Sequence, residues 1–340
     1  MIKKSASSVR VSIKEVAKLA GVSIATVSRV INKNPSVKEE NRQKVLKAIH
    51  QLKFTPSVSA QRLASGKSNV IGLIIPRYEG VFYSFYALEL LKGIGTLCDV
   101  LKLDLLLHLA TVNSQINFSG LGGVIFADII GNQHQLEEVI AHNIPFIVIN
   151  RFMQEPNISC IAIDNFKGAK EAVEYLIGLG HKRIAHIAGD LVTQAAQQRL
   201  EGYRSALENN GISVNEDYIV KTDYSRGQAI QAAEKLLGLK PPPTAIFAAS
   251  DSMALEVMNV AAEKGIRIPQ DLSIIGFDDN PSGLYGKVAL TTVRQPLVRM
   301  AEESVKYLNS IMKAKQMQVK KMILPAELVI RESCFPPKKD

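Results

Sequence analysis

From Val70 onward, short runs of β-branched residues alternate with stretches of helical periodicity. The predicted strands are 70–75, 103–108, 123–127, 145–149, 184–188, 244–248 and 273–277. The predicted helices are 84–98, 133–143, 165–179, 196–209, 226–238, 251–264 and 297–313. Alternation of this kind predicts an α/β fold of doubly wound parallel sheets. Ligands in such folds bind outside the carboxyl ends of the strands, often between two such units.

The first 70 residues differ from the rest of the chain in charge. They contain 14 Lys or Arg and three Glu, with no Asp, so they carry +11, whereas the remainder carries −2. A basic module attached to a near-neutral body favours a polyanionic partner, with nucleic acid as the first candidate. Charge alone also fits a solvated lysine-rich surface, so the local pattern of the module has to decide.

Three short helices are predicted in this basic module. A capping box at Ser12–Glu15 begins the first helix, and Gly21 ends it. Ser23 is placed to cap the second helix, and another capping box, Ser36–Glu39, is predicted to begin the third. The residues predicted to face inward from the second and third helices are Val27, Val30, Ile31, Val45, Leu46, Ile49 and Leu52. Two helices joined by a tight glycine turn are typical of a helix-turn-helix, whose second helix enters the major groove of DNA.

The stretch "VSIKEVAKLAGVSIATVSRVINKNPSVKEENRQKVLKAI" resembles the DNA-binding headpiece of the lactose/galactose repressor (LacI/GalR) family. The following "FTPSVSAQRLASGKSNVIGLIIP" is similar to that family's hinge helix and first core strand, and segments 163–190, 245–279 and 290–296 resemble markers of its core. The resemblance implies a headpiece, a hinge, and a periplasmic-binding-protein-like core for effector binding and dimerisation. The implied bounds are 1–56 for the headpiece, 57–69 for the hinge, 70–340 for the core, about 70–164 and 296–323 for its N-subdomain, and about 165–295 and 324–337 for its C-subdomain.

The resemblance also implies residues that contact DNA. Ile24, Ala25 and Arg29 fall where the family reads base edges. An arginine can donate two hydrogen bonds to guanine, whereas Ile24 and Ala25 would read DNA shape or a thymine methyl. The other residues implied at the DNA interface serve as helix caps, phosphate contacts or hinge contacts. They are Ser23, Thr26, Ser28, Asn32, Ser57 and Leu63. Leu63 takes the place of a leucine that, in the family, inserts into the minor groove and kinks the DNA. The alternatives are an apolar linker contact for Leu63, a simple helix cap for Ser23 and a solvated charge for Arg29.

For the core, the resemblance implies residues that hold a polar effector. Arg199 and Asp278 fall where family members bind such a ligand, and an ion pair without ligand is the alternative. Further implied contacts are Phe82, Tyr83, Asn150, Asp164, Tyr224 and Ser250. The two aromatic residues could instead belong to the core. Asp251 is expected to cap the helix that follows it.

Two segments depart from the family pattern. The loop "RYEGVFYSFY" follows the first core strand, and "LATVNSQINFSGLG" (109–122) joins two strands that the family connects through a full helix. Because a parallel crossover normally needs a dozen or more residues, the N-subdomain is predicted to lack one helix. The effector pocket is then either reshaped or lost, with exposed apolar surface left for another partner.

The function expected from the sequence is a sequence-specific transcription regulator, most simply a repressor. It would bind a palindromic double-stranded DNA operator as a homodimer, with a sugar or sugar derivative as allosteric effector. The alternative is a regulator of the same fold, with an altered or lost pocket, controlled by a protein partner. The basic module and the missing signal sequence disfavour a solute-binding protein.

Other function classes lack support in the sequence. The P-loop, HExxH and GxSxG motifs are absent, as is a GxGxxG after the first strand, so we expect neither an enzyme nor a cofactor. Cys98, Cys160 and Cys334 have no metal-ligand spacing and suit a reducing compartment. With no apolar run long enough to span a bilayer, we expect a cytoplasmic protein with no membrane contact.

Overall fold

The computed structural model describes residues 11–31, 34–54, 68–78, 80–314 and 318–338. The chain divides into two compact units, Met1–Asn69 and Val70–Asp340. Across the described ranges, no helix combines the length and apolar character needed to cross a membrane.

The first unit contains the three expected helices, which we call the headpiece. They are α1 (Ile13–Ala20), α2 (Ile24–Ile31) and α3 (Glu39–Gln51). The Glu15 carboxylate accepts a hydrogen bond from the Ser12 backbone N–H at 2.7 Å, as the capping box predicts. Each helix contributes one fully buried valine to a shared core, namely Val16, Val27 and Val45.

Two details of the third helix differ from the prediction. The Ser36 capping box is wrong, because α3 begins at Glu39 and the Ser36 N–H instead donates to Asn34 Oδ1 at 2.9 Å. The prediction placed Leu46 in the core, but Leu46 is 47 % exposed, and Ala48 is buried instead. The apolar face of α3 is therefore rotated slightly from the one that the leucine indicated.

The second unit contains a six-stranded parallel sheet, which defines the N-subdomain. Its strands are β1 (Val70–Pro76), β2 (Asp104–Ala110), β3 (Gly123–Ala127), β4 (Phe146–Ile149), β5 (Cys160–Ile163) and β11 (Lys321–Leu324), in the order β11-β5-β4-β3-β1-β2. The central strands β1, β3, β4 and β5 are near-continuous buried apolar runs, which is typical of parallel strands covered on both faces, whereas the edge strands β2 and β11 are more exposed.

A four-stranded parallel sheet defines the C-subdomain. Its strands are β6 (Ile184–Ala188), β7 (Ile219–Lys221), β8 (Ala245–Ala248) and β9 (Ser273–Ile275), in the order β7-β6-β8-β9. An antiparallel pair, β10 (Thr292–Arg294) and β12 (Glu327–Val329), lies beside it. Sequence reading missed β5, β7, β10, β11 and β12, each of which has only three or four residues.

Helices cover the faces of both sheets. They are α4 (Phe85–Leu101), α5 (Gln133–Ala141), α6 (Asn165–Gly178), α7 (Gln194–Asn209), α8 (Arg226–Leu237), α9 (Asp251–Glu263) and α10 (Leu297–Lys313). Helices α4 and α10 pack on one face of the six-stranded sheet and α5 on the other. A Cβ on Gly93 would lie 2.8 Å from the Val298 carbonyl oxygen, so glycine permits the close approach of α4 to α10. The predicted α/β fold of doubly wound parallel sheets is confirmed.

The connection from β2 to β3 contains no helix across residues 111–122, all of which the structure describes. Instead, Ile116 is 8 % exposed and packs with Phe118 and Leu121 against the uncovered sheet face. The Gln135 side chain donates from Nε2 to the carbonyls of Thr111 and Ser114, at 3.1 and 2.8 Å. The missing helix is thus as predicted, and an apolar loop replaces it.

Candidate DNA-binding surface and effector cleft

The N-terminal end of α2 presents an exposed surface. Ile24 is 45 % exposed, and Ala25 and Arg29 are exposed beside it. The Arg29 side chain has no hydrogen-bond or ion-pair partner among the described residues, so its five N–H donors are available. We call this the reading edge of α2, defined by Ile24, Ala25 and Arg29.

The hydroxyl residues around the reading edge have structural roles. Ser23 Oγ accepts from the Thr26 N–H at 3.1 Å and lies 2.9 Å from Thr26 Oγ1. Ser23 is therefore the N-cap of α2, which leaves its exposed hydroxyl able to contact phosphate as well. Ser28 is half-buried on the same helix. The remaining predicted contacts, Asn32, Ser57 and Leu63, lie outside the described residues.

The second candidate site lies where the strands of the two subdomain sheets end. Several non-glycine residues within four positions after a strand have positive φ, a conformation that costs energy and concentrates at ligand sites. They are Asp128 (80°), Asn150 (65°), Tyr224 (66°), Asp278 (141°) and Asp279 (61°). We call the region lined by the strand ends of both sheets the cleft.

Arg199 is buried and Asp278 is half-buried in the cleft, but no ion pair joins them in the described chain. Arg199 Nε donates to Asn165 Oδ1 at 2.9 Å and Nη1 to the Ala249 carbonyl at 2.6 Å, with the guanidinium 3.9 Å from the centre of the Phe277 ring. Asp278 Oδ1 accepts from Gln295 Nε2 at 2.5 Å. Burial raises the pKa of Asp278, the nearby Asp251 raises it further, and Arg199 opposes both.

Ser250 rather than Asp251 caps the start of α9. The Ser250 hydroxyl caps the helix by accepting from the Met253 N–H at 3.3 Å. The Asp251 carboxylate instead accepts from the Asn280 N–H at 2.6 Å and from Thr292 Oγ1 at 2.5 Å. The expectation that Asp251 caps α9 is therefore wrong: its buried carboxylate holds the loop that follows Asp278.

The N-subdomain side of the cleft is built around Asp128, which sequence reading missed. Its carboxylate is 3 % exposed, accepts from the Ile129 N–H at 2.7 Å and lies 3.8 Å from Arg151 Nη1. Burial raises the pKa of Asp128 to about 6. The buried Tyr86 hydroxyl has no partner among the described residues. Burial raises the pKa of Tyr86, and the nearby Asp128 carboxylate raises it further. A polar group buried without a partner indicates a place for a ligand atom or water.

The other predicted effector contacts occupy varied positions. Asp164 caps α6 by accepting from the Lys167 N–H at 3.0 Å. Asn150 Nδ2 lies 3.4 Å from Asp128 Oδ2. The Tyr224 ring covers Gly189, where a Cβ would lie 1.9 Å from Tyr224 Cζ. Tyr224 thereby lines the C-subdomain wall beside Arg199 and Asp278.

Phe82 and Tyr83 lie on a short 3-10 turn after β1. They are 57 and 92 % exposed, so the core alternative is excluded for both. Tyr78, from the same loop, has its pKa raised by burial and, to a smaller extent, by Asp278 of the opposite subdomain. Tyr78 and Asp278 are therefore near enough to interact electrostatically across the cleft.

One of the missed residues carries a sequence signal. Asp128 directly follows the run "GVIFA", so it stands at a strand end where ligand groups are expected. Tyr86 and Gln295 carry none, since one lies within a helix and the other after a three-residue strand. Their approach to the cleft depends on how the chain packs.

Comparison with known proteins agrees with this architecture. Residues 12–57 match the bacterial regulatory proteins of the lacI family, and residues 173–334 match a periplasmic binding protein-like domain. A helix-turn-helix headpiece on such a core defines a bacterial DNA-binding transcription regulator. The chain belongs to the LacI family, and the resemblance seen in its sequence is confirmed.

The chain is similar to several regulators over nearly the whole length of each. The probable HTH-type transcriptional repressor ExuR of Bacillus subtilis is 36 % identical, over 95 % of this chain and 98 % of its own. Catabolite control protein A of Priestia megaterium is 34 % identical, over 95 and 99 %. The lac repressor dimer bound to operator and the anti-inducer ONPF has a TM-score of 0.82 at 27 % identity, over 96 and 99 %. A CelR–cellobiose complex has a TM-score of 0.72 at 27 % identity, over 95 and 100 %.

Proposed function

We propose that this regulator represses transcription by binding a palindromic operator as a homodimer in the cytoplasm, and that a small polar molecule in the cleft controls its affinity for DNA. The observation that carries the DNA-binding part is the exposed, unpartnered reading edge of α2. A dimer would present two such edges to successive major grooves, about 34–36 Å apart, so the operator should have matching half-sites.

Selection from random double-stranded DNA tests the operator. Full-length protein should enrich an inverted repeat, and fluorescence anisotropy should give a dissociation constant that rises steeply with salt because Lys and Arg displace counterions. Enrichment of no motif, with equal affinity for all sequences, would contradict sequence-specific repression.

The chemistry of the cleft supports a hydroxyl-rich effector, such as a sugar or sugar derivative. Asp128, which is buried, and Asp278, which is half-buried, offer carboxylate oxygens from opposite subdomains, and ligand hydroxyls could donate to them. Exposed Phe82 and Tyr83 are suited to stack on the apolar face of a ring. The matched CelR was solved with cellobiose, and a ligand of similar chemistry is the first to try.

A thermal-shift screen of neutral sugars, sugar phosphates and nucleobases tests the effector. Any compound that raises the melting temperature is then added to the operator-binding assay, where it should change DNA affinity. Binding and DNA effect must be reciprocal, because the two sites share one coupling free energy.

The second candidate is control by a protein partner, with no small-molecule effector. The observation favouring it is the partly uncovered face of the shortened crossover, where Leu106 and Val112 are 42 and 65 % exposed. The same screen separates the two functions: a compound that changes operator affinity favours the cleft. If no compound does, and Leu106→Lys abolishes regulation while leaving operator binding intact, a protein partner is favoured.

A further inference from the structure

One side chain joins the two subdomains through a pair of hydrogen bonds. The Phe152 backbone N–H donates to Gln194 Oε1 at 2.7 Å, and Gln194 Nε2 donates to the Phe152 carbonyl at 3.1 Å. Phe152 lies in the loop after β4 of the six-stranded sheet, whereas Gln194 is the first residue of α7, which packs on the four-stranded sheet. A single amide thus satisfies both backbone groups of a residue on the other side of the cleft.

The N-subdomain end of this contact is held firmly by Lys321. Its Nζ donates to the carbonyls of Met153, Gln154 and Glu155, at 2.8, 3.2 and 2.9 Å, and lies 5.5 Å from the centre of the Phe152 ring. Three hydrogen bonds to consecutive carbonyls fix the backbone that presents Phe152. The loop therefore offers its N–H and carbonyl in one orientation.

The C-subdomain end is held by the cap of α7. The Thr193 hydroxyl accepts from the Ala196 N–H at 3.2 Å and donates to the Asp190 carbonyl at 2.8 Å. Gln194 follows this cap directly, so only its own side-chain torsions remain to be ordered when the contact forms. A contact between two groups already held in place loses little conformational entropy.

We propose that Gln194 is a latch that holds the two subdomains in the closed arrangement and thereby sets how strongly an effector binds in the cleft. The second half of this proposal rests on the proposed function; the first half does not. A ligand that contacts both walls binds the closed arrangement, which the latch also stabilises. Without the latch, part of the ligand's binding free energy would be used to close the cleft. Weakening the latch should lower effector affinity without touching any ligand-lining residue.

Hydrogen exchange at the Phe152 amide tests the latch in the full-length protein without DNA or ligand. Gln194→Met keeps the side-chain length but removes both hydrogen bonds, so the protection factor of this amide should fall about 10- to 30-fold. The matched control is Gln197→Met, one turn along the same helix, which loses only a bond from Nε2 to the Leu191 carbonyl at 2.7 Å within its own subdomain. The control should leave Phe152 protection unchanged.

Gln194→Glu provides an independent variant. When protonated, its carboxyl can still accept from the Phe152 N–H and donate to the carbonyl, but its ionised form places an oxygen opposite that carbonyl. Phe152 protection should therefore stay near wild type at pH 4 and fall at pH 7. Loss of the same size at both pH values would overturn the proposal.

The remaining outcomes separate the latch from the proposed function. Unchanged Phe152 protection in Gln194→Met, or an equal loss in Gln197→Met, overturns the latch whatever the protein does on DNA. Failure of the wild-type chain to select an operator contradicts the proposed function and leaves the exchange result standing.

Discussion

At the scale of single residues, Arg29 stands out as a charged side chain on α2 that the headpiece itself does not use. Its neighbours Ser23 and Thr26 are tied into the helix start, and Val27 and Val30 are buried in the core. Removal of Arg29 should therefore leave the fold of the headpiece unchanged, so that an effect on DNA binding can be assigned to the contact itself.

Arg29→Ala should weaken binding to the selected operator by about 1–3 kcal/mol and relax the sequence preference at one position of each half-site, since an arginine that reads guanine loses two hydrogen bonds. Anisotropy titrations on the operator and on random DNA measure both effects. Lys47→Ala, which removes an equal charge from the exposed side of α3, is the control and should weaken binding to the operator and to random DNA equally. An equal loss on the two DNAs for Arg29→Ala would make it a phosphate contact.

Asp128 shows how burial in the cleft links ionisation to stability. Its pKa is raised from 3.8 to about 6, so the folded chain binds this proton more tightly than the unfolded chain. The unfolded state releases the proton first as the pH rises, and the free energy of unfolding therefore falls between about pH 4 and pH 6. Below this window both states are protonated, and above it both are ionised.

Asp128→Asn should remove this loss, because an amide is neutral at every pH and still accepts from the Ile129 N–H. The difference in unfolding free energy between variant and wild type should grow by about 2 kcal/mol from pH 4 to pH 6. Urea denaturation at several pH values measures it, and taking the difference cancels the titration of other groups. A flat difference for Asp128→Asn would disprove the linkage.

At the scale of elements, the shortened crossover replaces a helix by a loop that carries its own apolar residues. Ile116, Phe118 and Leu121 pack on the sheet face that α5 also covers, in one cluster with residues of β1. Gln135 ties the start of the loop to α5. The loop therefore supplies the burial that a helix would have supplied, with the exception of the exposed Leu106.

Ile116→Ala should destabilise the core by about 2–3 kcal/mol, since it removes a nearly buried side chain from a packed cluster. Chemical denaturation of the full chain measures this, with the core transition followed by circular dichroism. Val112→Ala, at a 65 % exposed position of the same loop, should change stability by no more than about 0.5 kcal/mol. If the two variants were equally mild, the loop would not be sealing the sheet.

At the scale of the whole molecule, the chain is two compact units with different charges. The basic charge lies in the first 70 residues, while the near-neutral core contains both sheets and the cleft. This division supports the proposal that the first unit binds DNA and the second binds the effector.

A chain lacking residues 1–68 should therefore remain folded and dimeric but lose operator affinity. Circular dichroism measures the first property, light scattering the second, and anisotropy with operator DNA the third. Retained operator binding by the core would contradict the division of labour, and a monomeric core would place the dimer contacts in the missing segment.

The sequence by itself determined the fold class, the helix-turn-helix and the family, because caps, the glycine turn and strand–helix alternation are local patterns. It also identified the missing helix, since 14 residues leave little room for a crossover. Only the tertiary structure decided that Ser250 rather than Asp251 caps α9 and that Asp128 and Gln295 line the cleft. Strand order brings together residues far apart in the chain, and the burial that raises a carboxyl pKa exists only once they have met.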